Sequence, residues 1–231
     1  TERAGRHGLR SYLYCWEPVI PTAVWETLPD AWKARVNDKP SPMNIDLGCD
    51  EAAAWYWAIV ERAFERLPAV DGVILGREDN SAILREPNDP MRREPSEEGR
   101  WAEFYKTFLE VLRKSSRDLE VILYDWWWTQ GGHATILDHL PEKVRVITRF
   151  ENNTKSFSHP IFMQHESLLN DVTMKIDKPV NDAPEILEVY RQRDIDYYAM
   201  IPFLGGIETF MQPYALVPRM FFRKLEGMRR Y

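Results

Sequence analysis

Two cysteines, Cys15 and Cys49, cannot build a disulfide framework and are too few for a cysteine-rich zinc site. No apolar run approaches the roughly 20 residues that cross a bilayer as a helix, so no membrane association is expected. Nor do basic residues gather anywhere. The 30 Lys and Arg are outnumbered by 36 Asp and Glu, for a net charge of −6, and nucleic acid is not an expected partner. The chain also lacks a Gly-rich phosphate turn after an early strand, a G-x-S-x-G elbow and an H-E-x-x-H helix. His159 and His165 stand six residues apart, which is not a helical metal motif. No cofactor and no metal are therefore expected. An initiating methionine is missing too. The opening "TERAGRHGLR" reads as the end of a helix running into a strand, so a chain that begins part-way into its fold is expected, and its compartment is not legible.

What is present is a core-sized apolar content, 44% of 231 residues, enough for one domain over 1–231. Short β-rich runs recur at 9–16, 71–78, 119–126, 144–151, 171–177 and 196–203, with helical patterns between most of them. Segment 51–67 follows Asp50, a good N-cap, has apolar residues at 52, 56, 59, 60, 63 and 67, and stops at Pro68. In 97–114, after Pro95-Ser96, Trp101, Phe104, Tyr105, Phe108 and Leu112 form one stripe. A short helix is predicted over 134–140, and Asp182 with Glu185 resembles a capping box opening a helix to about residue 193.

Alternating strands and helices predict an α/β fold with a parallel sheet. Polar and aromatic residues follow strand after strand, as in a (β/α)8 TIM-type barrel, whose site is built from loops at the strands' C-terminal ends. Six visible strands would be the third to the eighth, with the N-terminal strands missing from this chain. An open six-stranded sheet is the alternative.

The strand ends hold the candidate chemistry. The first run closes on Trp16 and Glu17, which join the substrate-binding set. "DGVILGREDNS" ends in Arg77, Glu78, Asp79 and Asn80. Gly72, Ile74, Gly76 and Glu78 share a face, and the two glycines leave room beside it. "LEVILYDWWWTQGGH" supplies Tyr124, Asp125, Trp126, Trp127, Trp128 and His133. The strand alternation sends one or two of the three tryptophans toward a sugar, whose C–H face suits an aromatic plane, and at least one into the core. "VRVITRFENN" ends in Arg149, Glu151, Asn152 and Asn153; "DVTMKIDKP" adds Lys175 and Asp177. An inward arginine either pairs with a carboxylate or binds an anionic substrate group through its fork of donors. The last predicted strand precedes "LGGIETF".

In this order, "DGVILGREDNS", "VILYDWWW", "VRVITRFENNTKSF" and "LLNDVTMKID" resemble strands of the α-glucuronidases of glycoside hydrolase family 67. The resemblance covers most of the chain, in order and texture rather than in an exact motif. It implies a general acid at or within about two positions of Glu78, and second carboxylates near Glu151 and near Asp177. "NNTKSFSHP" and "KIDKP" depart from the family's acidic pattern. The expected function is hydrolysis of a glycosidic bond in a carbohydrate that can bear a uronate. One protonated carboxyl, Glu78 with Asp79 as understudy, acts as acid. The second carboxylate is Glu151, Asp177 or Asp125, in that order. Arg149, Arg77 or Lys175 would hold a uronate, and Trp127, Trp128 and Tyr124 would stack on the ring. The alternatives are a non-catalytic carbohydrate-binding barrel and a metal-dependent lyase or hydrolase using His159, His165 and nearby acids. Oligomeric state is not legible.

Overall fold

The computed structural model describes residues 5–15, 19–36, 39–66, 70–76, 96–114, 118–125, 128, 131–148, 154–155, 168–169, 179, 182–199, 222–223, 225–227 and 229–230. It divides into two compact units, Thr1–Val144 and Arg145–Tyr231.

The first unit contains β1 (Tyr12–Cys15), α1 (Thr22–Trp25), a 3-10 turn (Asp30–Trp32), β2 (Lys33–Val36), β3 (Lys39–Ile45), α2 (Asp50–Arg66), β4 (Gly72–Leu75), α3 (Glu97–Lys114), β5 (Glu120–Tyr124) and α4 (Gly132–Asp138). β1, β4 and β5 are parallel neighbours in chain order. Tyr12 lies opposite Gly72 and Gly72 opposite Glu120, and the register runs unbroken to Cys15, Leu75 and Leu123. The ladder continues past the strands, with the Gly76 amide donating to the Cys15 carbonyl at 2.9 Å.

Strand periodicity gives this ladder two unlike faces. Leu75, Val73, Val121 and Leu123 are fully buried on one. Gly72, Gly76, Tyr12 and Tyr14 share the other, and the glycines act there as slots. A Cβ on Gly72 would stand 2.5 Å from the Glu120 carbonyl oxygen and 2.6 Å from Tyr12 Cε1. Because that Cβ is absent, Tyr12 crosses β4 and its hydroxyl donates to the Glu120 carboxylate, which also accepts from Arg10 Nη1 at 2.8 Å. The room expected beside Gly72 and Gly76 is thus occupied by tyrosines of β1.

The helices follow their apolar spacing. All five stripe residues of α3 are buried, with Leu109 and Val111. Each such side chain stabilises by about 1.5–3 kcal/mol when fully removed from water. Ser96 caps α3 through an Oγ that accepts from the Gly99 amide at 2.9 Å. In α2 the buried residues are Ala52, Tyr56 and Phe64, whereas Ile59 is exposed. The face is turned from the predicted one because Phe64 and Trp57 pack on α3, with rings 5.6 Å from Phe108 and 5.5 Å from Phe104. Asp50 is the first helical residue rather than the cap; the Cys49 carbonyl takes the helical bond from Ala53 at 2.8 Å. α4 begins two residues earlier than predicted.

The antiparallel β2–β3 hairpin is an element that the sequence pattern did not announce. Pro40 and Pro42 lie in β3 and obscure its strand pattern. The turn-favouring residue pair Asn-Asp at 37–38 of the sequence is the signal that could have shown it. At the hairpin's base the Ile20 amide donates to the Met43 carbonyl at 2.7 Å, Val19 bridges Asn44, and Trp25 Nε1 donates to the Asn44 carbonyl at 2.9 Å.

The second unit pairs β6 (Arg145–Thr148) with β9 (Tyr197–Ala199) in parallel, and β7 (Thr154–Lys155) with β8 (Leu168–Leu169) antiparallel. α5 (Ala183–Gln192) carries Tyr190, whose ring lies 6.0 Å from Tyr197 of β9. Asp182 precedes α5 but makes no capping bond through its side chain. The helix ends with Asp194 in the left-handed region (φ 53), its amide donating to Arg191 O at 3.2 Å and that of Ile195 to Tyr190 O at 3.0 Å.

The fold is therefore α/β with parallel strands, as expected. Among the described residues there are five such strands, three in the first unit and two in the second, and they close no eight-stranded barrel. The expected strand at 171–177 lies outside the described residues. The slot has a direct check. Gly72→Ala should lower unfolding stability by about 1–3 kcal/mol in denaturant titration, because the new methyl meets backbone as well as a ring; an unchanged midpoint would refute the close crossing.

Candidate functional site

The parallel strands of the first unit finish flush, at one edge of the ladder. Asp125 is the first residue beyond β5. Its carbonyl accepts from the Trp128 amide at 3.0 Å, and His133 occupies the first turn of α4. His133 Nε2 lies within 3.5 Å of Asp125 Oδ2. Both are enclosed, Asp125 being 3% and His133 1% exposed.

Trp128 completes the cluster. It is 5% exposed, its ring lies 5.4 Å from that of His133 and 5.8 Å from that of Tyr105, and its indole Nε1 donates to Tyr105 Oη at 3.3 Å. Tyr105 continues to Trp101 at 5.5 Å. One tryptophan of the WWW run is thus a core residue that joins the strand end to α3. Within this cluster the Trp128 indole and the Tyr105 hydroxyl meet one another, and His133 Nε2 stands beside Asp125 Oδ2, so that three elements are joined.

The other face of the same edge is more open. Tyr14 is 38% exposed and lies over Gly76: a Cβ there would collide with the phenol oxygen and stand 2.9 Å from Tyr14 Cζ. Burial pushes the Tyr14 phenol up to about 12 and the neighbouring Cys15 thiol up to about 11. Tyr124, at the end of β5, is buried. Sequence reasoning named neither Tyr14 nor Tyr105 as part of a site. The four-residue spacing of Gly72 and Gly76 is the signal that bulky side chains cross β4.

Of the sequence-predicted residues, Asp125, Trp128 and His133 are brought together and Tyr124 ends the adjoining strand. Trp16, Glu17, Arg77, Glu78, Asp79, Asn80, Trp126, Trp127, Arg149, Glu151, Asn152, Lys175 and Asp177 lie outside the described residues. Among the described residues, no group of three or more His, Cys, Asp or Glu is placed to hold a metal, and no helix is long and apolar enough to cross a membrane.

No protein-family model, curated protein or solved structure matches the chain.

The buried pair and the raised thiol each yield an expectation. His133→Ala removes an enclosed ring and Asp125's neighbour, and should cost about 2–4 kcal/mol in unfolding experiments; a loss below about 0.5 kcal/mol would show that the cluster is not enclosed. Because the Cys15 thiolate forms only near pH 11, iodoacetamide at pH 8.5 should alkylate Cys15 at least tenfold more slowly in the native protein than in urea. Equal rates would contradict its burial.

Proposed function

We propose that the protein is a glycoside hydrolase built on a (β/α)8 barrel. The observation that carries the proposal is the in-register parallel ladder of β1, β4 and β5 in chain order. Three strands added side by side in one direction match the winding of a barrel; a doubly wound sheet would have to reverse beyond them at a switch point. The C-terminal ends of these strands lead, along the sequence, into Trp16-Glu17, Arg77-Glu78-Asp79-Asn80 and Asp125-Trp126-Trp127-Trp128. In such a fold that edge is where catalytic side chains gather.

In this function Glu78, or Asp79 beside it, gives a proton to the leaving glycosidic oxygen. A second carboxylate, Glu151 before Asp177 and Asp125, activates the water that takes the anomeric carbon or attacks that carbon itself. Asp125 stands last because it is buried beside His133. Arg77, Arg149 and Lys175 are the cations for a uronate carboxylate. Trp127, with Trp126, offers aromatic planes to the sugar ring.

The same burial of Asp125 favours a second function, a carbohydrate-binding barrel without hydrolysis. Reducing-end-labelled neutral and uronate-bearing oligosaccharides, incubated with the wild type and with Glu78→Gln, separate the two. Cleavage by the wild type that falls at least about a hundredfold in Glu78→Gln supports the hydrolase and its acid. Equal cleavage by both removes Glu78 from the role. Binding with no cleavage by either supports the non-catalytic function.

A further inference from the structure

We infer that Tyr14 is a sugar-binding residue, its phenol held over Gly76 at the C-terminal edge of the ladder to hydrogen-bond a hydroxyl or carboxylate oxygen of the saccharide. The inference rests on the proposed function and adds to it a residue on β1.

The geometry comes first. Tyr12 and Tyr14 lie on the same face of β1, and each meets a glycine of β4 or its end. The two crossings differ in kind. Tyr12 sits at the N-terminal end of the ladder, where its hydroxyl donates to Glu120. Tyr14 sits at the C-terminal end. Its Cα is paired with Ile74, yet its ring rests on Gly76, two residues further along, so the side chain leans toward the edge where the strands finish. It is 38% exposed there, against full enclosure of Asp125 and His133 on the opposite face.

The chemistry suits a saccharide. A phenol combines an apolar ring for C–H faces with one hydroxyl for the polar rim. A group that titrates only near pH 12 stays a neutral donor throughout the ordinary range, so it can meet a sugar hydroxyl or a uronate without charge repulsion. Gly76 makes this possible, because any side chain at that position would lift the ring from the strand. The glycine and the tyrosine therefore form one device.

The test uses the full chain with 13C-labelled tyrosine rings, titrated with gluco-oligosaccharides and with glucuronate-terminated oligosaccharides. The expected result is a shift of the Tyr14 ring resonance on saturation, while that of Tyr12 stays in place. Tyr14→Phe should bind the same oligosaccharide about tenfold more weakly, the loss of one neutral hydrogen bond, with an unchanged circular dichroism spectrum. Gly76→Ala, which displaces the ring and keeps the hydroxyl, should weaken binding comparably. Oligosaccharide that binds the wild type without moving the Tyr14 resonance, or that binds Tyr14→Phe equally well, overturns the role of Tyr14 and leaves the proposed function standing. If neither oligosaccharide class binds or is cleaved by the wild type, the proposed function falls and the inference with it.

Discussion

Residue-for-residue parallel pairing of β1 with β4 and β4 with β5 is the constraint on which the first unit rests. Parallel strands require a crossover between each pair. Here α2 and α3 provide those crossovers and pack on one another through Trp57, Phe64, Phe104 and Phe108. The pairing also sets the positions of the strand ends. Cys15, Gly76 and Asp125 reach the same edge because no residue of the register is skipped. A slip of one residue would exchange the faces, send Tyr14 into the core and turn Leu75 outward.

From that edge the two faces take different work. On the enclosed side, Asp125, His133, Trp128 and Tyr105 form a continuous polar and aromatic chain from strand end to helix. Such a cluster ties the end of β5 to α4 and α3. Its members have little freedom to rearrange, since interiors are close-packed and a half-satisfied polar network is costly. On the open side the tyrosines lie across glycines, and the surface is shaped by the side chains that β4 omits. The run of three tryptophans thus has at least one member with a structural purpose: Trp128 packs between Tyr105 and His133 in the interior rather than offering a surface plane.

Much of this was legible in the sequence because periodicity reports burial directly. The stripe Trp101, Phe104, Tyr105, Phe108 and Leu112 fell on the core as predicted, and α3 occupies Glu97–Lys114. The strands at Tyr12–Cys15, Gly72–Leu75, Glu120–Tyr124, Arg145–Thr148 and Tyr197–Ala199 lie inside their predicted runs. The illegible remainder depends on partners. Ile59 fits an apolar stripe by spacing, yet α2 turns Tyr56 and Phe64 inward because α3 offers aromatic rings on that side. Asp182 has the spacing of a capping residue, but its backbone is helical there (φ −85, ψ −9), which leaves its side chain out of capping geometry. The glycines of β4 and its end suggest space for a ligand, and only the neighbouring strand reveals that tyrosines fill it. The pairing of Asp125 with His133 likewise joins a strand end to a helix start, which no residue pattern announces.

The β2–β3 hairpin is tied at its root by Ile20 with Met43, by Val19 with Asn44 and by the Trp25 indole with Asn44. Chain enters and leaves it between β1 and α2, and none of these ties involves the ladder. Its root is held by packing, with Ala34 and Ile45 buried and the Trp32 ring 5.9 Å from that of Trp55 in α2, whereas the connection from Val36 to Lys39 can be lengthened at a small entropic cost, since loop closure depends only weakly on length. The protein therefore has, between its first strand and α2, a hairpin whose far end is open to evolutionary or engineered extension while its root stays packed.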